Sequence, residues 1–430
     1  MIPGYDYQAP RLHCTCQPHF SAGEDNMKTT ASDHPDISPG MVLLLAASCG
    51  LIVANLYYAQ TLAGPISVAT GLSADAAGLV VTLTQIGYTL GLLFIVPLGD
   101  LLENRRLIVT ALGFTAVALM AAAFATSAWA FLAAALAIGM GSVAAQVLVP
   151  FAAHLSHEAT RGQVVGKVVS GLLLGIMLAR PAASLIADYA SWQVVFGGAS
   201  VLIVLLAVLL RLKLPVRMPA APPRYAELIR SLWRLLLATP VLRRRAAYQF
   251  GLFGAFSLFW TVTPMMLAGP QFKLSQTGIA IFALVGVAGA LASPVAGRLA
   301  DRGHALGATA AALALGAFSF ALPLAAPGSR NVALGLLVTA SIVLDMAVAA
   351  SLVLGQRAIF SLAPEVRSRL NGLYVALFFA GGALGSALGG WMFARHGWHA
   401  ALLTGMTFPG LALAYWMTEY VGLVRRGKPT

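Results

Sequence analysis

The sequence predicts an all-α integral membrane protein, with twelve transmembrane helices arranged as two pseudo-symmetric six-helix bundles. Three observations lead there: an apolar composition, twelve apolar runs of membrane-crossing length, and a repeat relating the two halves. Of 430 residues, 59% are hydrophobic and 10% charged, against about 25% charged in a typical soluble domain. That balance argues against a soluble multidomain enzyme. It also argues against a disordered chain, which needs few apolar residues.

A helix crossing ~30 Å of hydrocarbon needs about 20 mostly apolar residues. Runs of this kind lie near 41–63, 76–98, 106–126, 129–154, 163–187 and 192–212. Six more follow near 246–268, 276–297, 305–326, 331–355, 369–393 and 398–421. Turn residues such as Gly64-Pro65, Pro327-Gly328 and Ala363-Pro364 separate neighbouring runs. The expected organisation is a disordered tail (1–38), a first bundle (39–212), a linker (213–245), a second bundle (246–421) and a short tail (422–430).

The formal net charge of +12 raises nucleic-acid binding first, but the placement of the cations argues against it. Only Arg180 lies deep in an apolar run. One set of run ends carries Arg105, Arg106, Arg161, Lys167, Arg298, Arg302, Arg357, Arg367, Arg369, Arg425, Arg426 and Lys428, besides nine basic residues from Arg211 to Arg245. The other set carries Lys273, Arg330 and Arg395. This asymmetry predicts that both termini are cytoplasmic, and the expected location is the inner (cytoplasmic) cell membrane. In the linker, Pro215, Pro219, Pro222 and Pro223 give an irregular start. From Arg224 to Ala238, Leu228, Leu232, Leu235 and Leu236 recur at helical spacing against Arg230 and Arg234. That pattern predicts an amphipathic helix on the inner membrane surface, with Arg243-Arg244-Arg245 anchoring the following span.

Three cysteines, Cys14, Cys16 and Cys49, give no disulfide framework. His13, Cys14, Cys16 and His19 are soft ligands, but their spacing matches no standard zinc site and no second pair follows. No metal and no cofactor are therefore expected. Met27-Lys28 reads as a natural start, which makes residues 1–26 an upstream extension, and no apolar signal-peptide region precedes Ser38.

The halves echo each other. Leu62-Ala63-Gly64-Pro65 matches Leu267-Ala268-Gly269-Pro270, and Leu72-Ser73 matches Leu274-Ser275. The second and eighth runs end in Gly99-Asp100-Leu101-Leu102-Glu103 and Gly297-Arg298-Leu299-Ala300-Asp301-Arg302, and Arg161 with Gly166 is echoed by Arg367 with Gly372. Such ordered matches indicate a six-helix duplication.

On these residues the chain resembles the major facilitator superfamily. Gly297, Leu299, Ala300, Asp301 and Arg302 fit the start of that family's loop signature, and Gly99, Leu101 and Glu103 fit a degenerate copy. The stretch Ala54-Asn55-Leu56-Tyr57-Tyr58-Ala59-Gln60 is similar to the first span of bacterial sugar-efflux or drug-efflux permeases. The resemblance implies a gating loop at Gly99, Asp100, Glu103, Arg105, Gly297, Asp301 and Arg302. There, Asp301 caps a helix of the neighbouring half and Arg302 pairs across the seam. It also implies a central cavity between spans 1, 4, 7 and 10, with spans 2, 5, 8 and 11 at the seam. Two departures stand out. Arg180 replaces the small residue before Pro181 in a Gly-Pro motif with Gly171 and Gly175, and Ala137 occupies the position of an expected fourth-span Arg.

Ionisable groups at membrane depth cost at least ~2.5–3.5 kcal/mol on insertion scales. Asp345 in the tenth run is accordingly a candidate for binding a proton or a cationic substrate, or for a structural contact between helices. It shares a helix face with Gln356. Arg180 is a candidate for an anionic substrate group or for pairing with a carboxylate. Further polar candidates are Asn55, Tyr57, Tyr58 and Gln60 in the first run, Gln146 in the fourth, and Gln249 and Trp260 in the seventh. In that seventh run Phe253, Phe256 and Thr263 complete a stripe suited to helix packing or to an amphipathic solute. Tyr374 and Phe378 repeat the pattern in the eleventh.

No phosphate-binding Gly-rich loop and no helical metal motif occurs, so neither ATP-driven transport nor an enzyme is expected. The reading is a secondary carrier working by alternating access. Proton-coupled efflux of a small organic molecule is favoured, and uniport, uptake symport or a non-transporting sensor are the alternatives. The expected partners are a small-molecule substrate, protons and the lipid bilayer, with no nucleic acid, and the chain is expected to act as a monomer.

Overall fold

A computed structural model describes residues 37–158, 160–218, 224–325, 329–362 and 366–425. The expectations for residues 1–26, for the His13, Cys14, Cys16 and His19 cluster, and for the 1–36 part of the tail lie outside the described residues. So do Pro219, Pro222, Pro223, Pro327, Gly328, Ala363, Pro364, Arg426 and Lys428.

Among the described residues, eleven helical stretches are long and apolar enough to cross a membrane. Spans 1 to 6 are Pro39–Thr70, Ala74–Asp100, Asn104–Ala123, Ala128–His154, Arg161–Tyr189 and Trp192–Lys213. Spans 7 to 10 are Pro240–Ala268, Gln276–Asp301, Ala305–Leu324 and Arg330–Phe360. The last stretch, Arg367–Arg425, contains Gly397 at φ 77°, a left-handed conformation that glycine adopts without steric cost. Gly381 and Phe408, on either side of it, both lie against Gly254 of span 7, so the chain folds back there and forms spans 11 and 12. The architecture is thus twelve apolar helices. Several spans begin where a serine side chain accepts a backbone N–H of the first turn, as at Ser38, Ser127, Ser191 and Ser275.

The packing repeats between halves. Span 1 packs on 5, 2 on 4 and 3 on 6, while 7 packs on 11, 8 on 10 and 9 on 12. Close crossings rest on glycine: a Cβ at Gly50 would stand 2.6 Å from the Gly171 carbonyl oxygen, and Gly385 lies against the Gly254 backbone. Between halves, span 2 meets span 11 and span 5 meets span 8.

Three spans are irregular at depth. Span 1 unwinds at 55–57, span 4 breaks after Gly141, and span 8 tightens into a 3₁₀ stretch over Gly286–Leu291. Within a bilayer such backbone is tolerated only where protein or a polar cavity surrounds it. Hence these breaks mark the interior faces.

The linker helix runs from Tyr225 to Ala238, the stretch where the amphipathic helix is expected. Leu228 and Leu232 are buried in protein, and the Tyr225 hydroxyl donates to the Phe94 carbonyl of span 2 at 2.9 Å. Arg369 of span 11 donates to the Ser231 hydroxyl at 3.1 Å. The helix therefore ties both halves together on the face that bears the basic loops, called here the basic face.

Candidate functional site

Arg180 and Asp345 approach each other from opposite halves. Arg180 Nη2 stands 4.0 Å from Asp345 Oδ2, and the residues are 3% and 7% exposed. Trp260 of span 7 joins them twice. Its indole N–H donates to Asp345 Oδ1 at 2.9 Å, and its ring lies 3.9 Å from Arg180 Cζ. Phe256, one turn earlier, lies 5.1 Å from the same guanidinium carbon. Such cation–π contacts reach about 2 kcal/mol when desolvated. From span 1, the Thr61 hydroxyl donates to the Arg180 carbonyl at 3.5 Å, and the Tyr57 phenol is within electrostatic reach of both charges.

Span 8 makes room for the carboxylate. A Cβ on Gly286 would lie 2.6 Å from Asp345 Oδ2, and one on Gly289 would meet the Asp345 Cβ at 2.5 Å. The 3₁₀ stretch that carries these glycines is therefore fitted to Asp345.

The pair is loosely held for buried charges. Charge-assisted N–H···O bonds run near 2.7–2.9 Å, well short of the 4.0 Å seen here. Among the described residues Arg180 Nε and Nη1 have no partner, nor do the amide groups of Asn55 and Gln60, Gln249 Oε1, Thr263 Oγ1 or Ser184 Oγ. Buried polar atoms are normally satisfied. An interior with this much spare hydrogen-bonding capacity suits a ligand that supplies the missing partners.

On the basic face a cavity of about 150 Å³ is lined by residues that include Gln146, Asn104, His154, Arg217, Ser368 and Arg369. A run of contacts leads inward from it. Gln146 donates to the Tyr88 hydroxyl at 3.0 Å, Tyr88 meets Phe379 at 4.5 Å, and Phe379 meets Phe253 at 4.9 Å. Phe253 then stacks on Phe256 at 5.3 Å, beside Arg180. Phe378 joins this layer and is met in turn by Tyr374, whose buried hydroxyl has no hydrogen-bond partner among the described residues. The opposite face is closed by Arg395 donating to Asp75 at 2.8 Å across spans 2 and 11, and by Thr277 donating to Asp188 across spans 5 and 8.

The structure thus brings Asp345, Arg180, Trp260 and Tyr57 together. Asn55 and Gln60 are buried in span 1. Tyr58 turns away and meets Phe196 of span 6 edge-on at 6.4 Å. Gln146 belongs to the cavity rather than to the charged pair. Gln249 donates to the Val348 carbonyl at 3.4 Å, and Gln356 donates to Asn371 at 3.3 Å. Gln249 and Gln356 each lie three helical turns from Trp260 and Asp345 respectively, toward the basic face.

The gating-loop residues differ from the geometry the resemblance implied. Asp301 pairs with Arg357 of span 10, in its own half, instead of capping a helix across the seam. Arg302 is exposed and has no ion pair among the described residues. Glu103 holds Arg105 at 3.3 Å and Arg106 at 2.8 Å. Gly297 gives the Arg357 guanidinium room, while Gly99 and Asp100 line the cavity. These charges sit within their own halves because each loop is short and its neighbouring span end carries the partner.

Sequence reasoning missed Gly286, Gly289, Asp75, Arg395, Asp188 and Thr277. The two glycines, three apart in an apolar run, were the available signal. The latch residues carried none, since each sits at an ordinary span end.

The family model described as Major Facilitator Superfamily matches residues 42–343. The chain is 38% identical over 381 residues to the uncharacterized transporter YgaY of Escherichia coli O157:H7, covering 89% of this chain and 96% of that one. It is 33% identical to the probable transporter SCO4007 of Streptomyces coelicolor over 358 residues, 83% of this chain and 82% of the relative. Its fold is similar to the crystal structure of a bacterial homolog of the human lysosomal transporter Spinster, solved inward-facing and unoccupied. There the TM-score is 0.69 at 13% identity, covering 88% of this chain and 95% of that one.

Proposed function

The chain belongs to the major facilitator superfamily of transporters, and from that premise we propose that it is a proton-coupled secondary carrier of a small organic solute. The observation that carries this reading is the Arg180–Asp345 pair. Each half supplies one member, both are buried at membrane depth, and the separation leaves the pair free to exchange partners. A site shared between halves is what alternating access about a central axis requires. In this reading the basic face is cytoplasmic, the membrane is the inner one, both termini lie inside, and a single copy suffices.

Asp345 is the proton carrier in this reading, and the sign of coupling depends on how the solute treats it. Export in exchange for protons, the direction implied by the resemblance to efflux permeases, needs a solute that competes with the proton for Asp345. Movement of solute and proton together needs a solute that binds when the proton is present.

The carrier reading is tested by access. In a background with Cys14, Cys16 and Cys49 replaced, a cysteine at Ser368 on the cavity and one at Ala77, buried beside the opposite latch, are labelled with an impermeant maleimide in oriented vesicles. Labelling rates at the two positions are expected to change in opposite senses on a shift in pH, and Asp345→Asn is expected to abolish that response. Rates that ignore pH in the unsubstituted protein would sink proton-coupled alternating access.

A further inference from the structure

We infer that the solute is an organic anion, that its acid group is held by Arg180, and that it travels together with a proton on Asp345. The inference rests on the carrier reading above and supplies its substrate class and coupling sign.

At the charged pair itself, the unpartnered N–H donors belong to Arg180. Asp345 Oδ1 already accepts from Trp260, and Oδ2 faces Arg180. Arg180 keeps Nε and Nη1 unpartnered although it is 3% exposed. A cationic solute would find one carboxylate oxygen accepting from Trp260 and a guanidinium 4.0 Å from the other, and like charges at such range repel strongly in a low-dielectric interior. An anionic solute finds unused N–H donors on a fixed cation. Arg presents these as planar forks suited to carboxylate, sulfonate or phosphate oxygens. Trp260 and Phe256 lie beside the guanidinium and offer aromatic surface to the rest of the molecule.

The coupling sign follows from Nη2. It lies between Nε and Nη1, so a bidentate grip on Arg180 uses Nη2 with one of its neighbours. Nη2 is the atom that faces Asp345. The solute's acid group therefore stands beside the Asp345 carboxylate on one guanidinium, which cannot balance two buried negative charges. With the guanidinium taken by the solute, Asp345 is a buried charge without compensation, and among the described residues the groups around it offer no second cation. Facing it are Arg180 from span 5, Trp260 from span 7, Tyr57 from span 1, and the glycines 286 and 289 of span 8. Leaving one member of a buried pair uncompensated is strongly destabilising, which Asp345 avoids by taking a proton from the water of the open face. Proton and anion consequently favour each other's binding. Reloading Asp345 onto Arg180 after both have left closes the cycle, so one singly charged anion and one proton cross with no net charge.

Three probes of similar shape, whose charge does not change over the pH range used, separate the possibilities: anionic benzylsulfonate, cationic benzyltrimethylammonium and neutral benzyl alcohol. Each is titrated into the full chain in lipid nanodiscs between pH 5.5 and 8.5, with tryptophan quenching as readout and Trp260→Phe as the signal control. In weakly buffered solution a pH indicator reads protons exchanged per ligand bound. Benzylsulfonate is expected to bind, to weaken by up to about tenfold per pH unit as pH rises, and to draw in one proton. Arg180→Gln should lose the anion. Asp345→Asn, a mimic of the protonated acid, should keep it with the pH dependence gone. The proton count on the unsubstituted protein stands even if a variant does not fold. Preference for the ammonium probe, or proton release on binding, overturns the assignment. So does absence of saturable quenching by benzylsulfonate. The carrier reading is judged separately, by the maleimide rates.

Discussion

At the scale of single residues, the site depends on what surrounds Asp345 as much as on Asp345 itself. Gly286→Ala places a methyl group 2.6 Å from Oδ2, closer than any relaxed contact, so the carboxylate or the 3₁₀ stretch must shift. Overpacking of this kind typically costs about 1–3 kcal/mol. The expected outcome is a lower unfolding midpoint in nanodiscs together with a changed pH dependence of maleimide access. A midpoint equal to that of the unsubstituted protein would show that span 8 is not fitted to the acid. Arg180 and Asp345 stood out in the sequence because a lone ionisable group within an apolar run is conspicuous and costly, and Trp260 as a member of the stripe in the seventh run. Their meeting was not legible. Arg180 lies 165 positions before Asp345, and only the packing of span 5 against span 8, and of span 8 against span 10, brings them together. Tyr58 shows the reverse failure. It is adjacent to Tyr57 in the chain, yet the turn at 55–57 sends the two rings in different directions.

At the scale of elements, the linker helix shows what periodicity can and cannot tell. Leucines spaced at helical intervals gave its position within a residue of the observed Tyr225–Ala238. An apolar stripe needs cover, but its composition does not say whether lipid or protein provides it. Here Leu228 and Leu232 are covered by protein and line the basic-face cavity, while Trp233 on the other side is 62% exposed. Two hydrogen bonds hold the helix across the mouth, Tyr225 to Phe94 and Arg369 to Ser231. Each is worth about 0.5–1.5 kcal/mol net, at the low end for exposed groups. Tyr225→Phe combined with Arg369→Ala is expected to speed maleimide labelling of a cysteine at Ser368 several-fold without changing the unfolding midpoint by more than a few degrees. Equal rates would mean that the cavity is screened by something other than this helix. Spans 11 and 12 illustrate the same principle differently. Their separation was legible as two apolar runs, and the structure adds that Gly397 makes the reversal with hardly a break in helix.

At the scale of the whole molecule, the duplication was readable from ordered matches such as Leu62-Ala63-Gly64-Pro65 with Leu267-Ala268-Gly269-Pro270, because repeated helices keep their turn residues. Which face is closed was not readable, since one sequence serves both states of a carrier. In the structure the closed face is held by Asp75 with Arg395 and by Asp188 with Thr277, one tie at each seam between halves. Deeper in the 2–11 seam, Thr82 shares a hydrogen bond with Ser386 at 2.8 Å, and Gln85 of span 2 donates to Ser257 of span 7 at 2.5 Å. A two-state molecule responds to a change in either state's contacts by shifting population. Removing both ties with Asp75→Asn and Asp188→Asn should therefore favour the state open on that face. Spin labels at cysteines replacing Val68 and Gln271, one in each half beyond the latches, should report a larger share of long distances. The Asp75–Arg395 tie is an exposed ion pair, so salt screens it, whereas the buried Arg180–Asp345 pair is screened far less. Raising ionic strength on the unsubstituted protein should then move the distance distribution in the same direction as the double substitution, and should add little once the substitutions are present. A distribution unmoved by the substitutions would place the closing energy in the glycine-lined helix crossings at Gly78 and Gly390 instead.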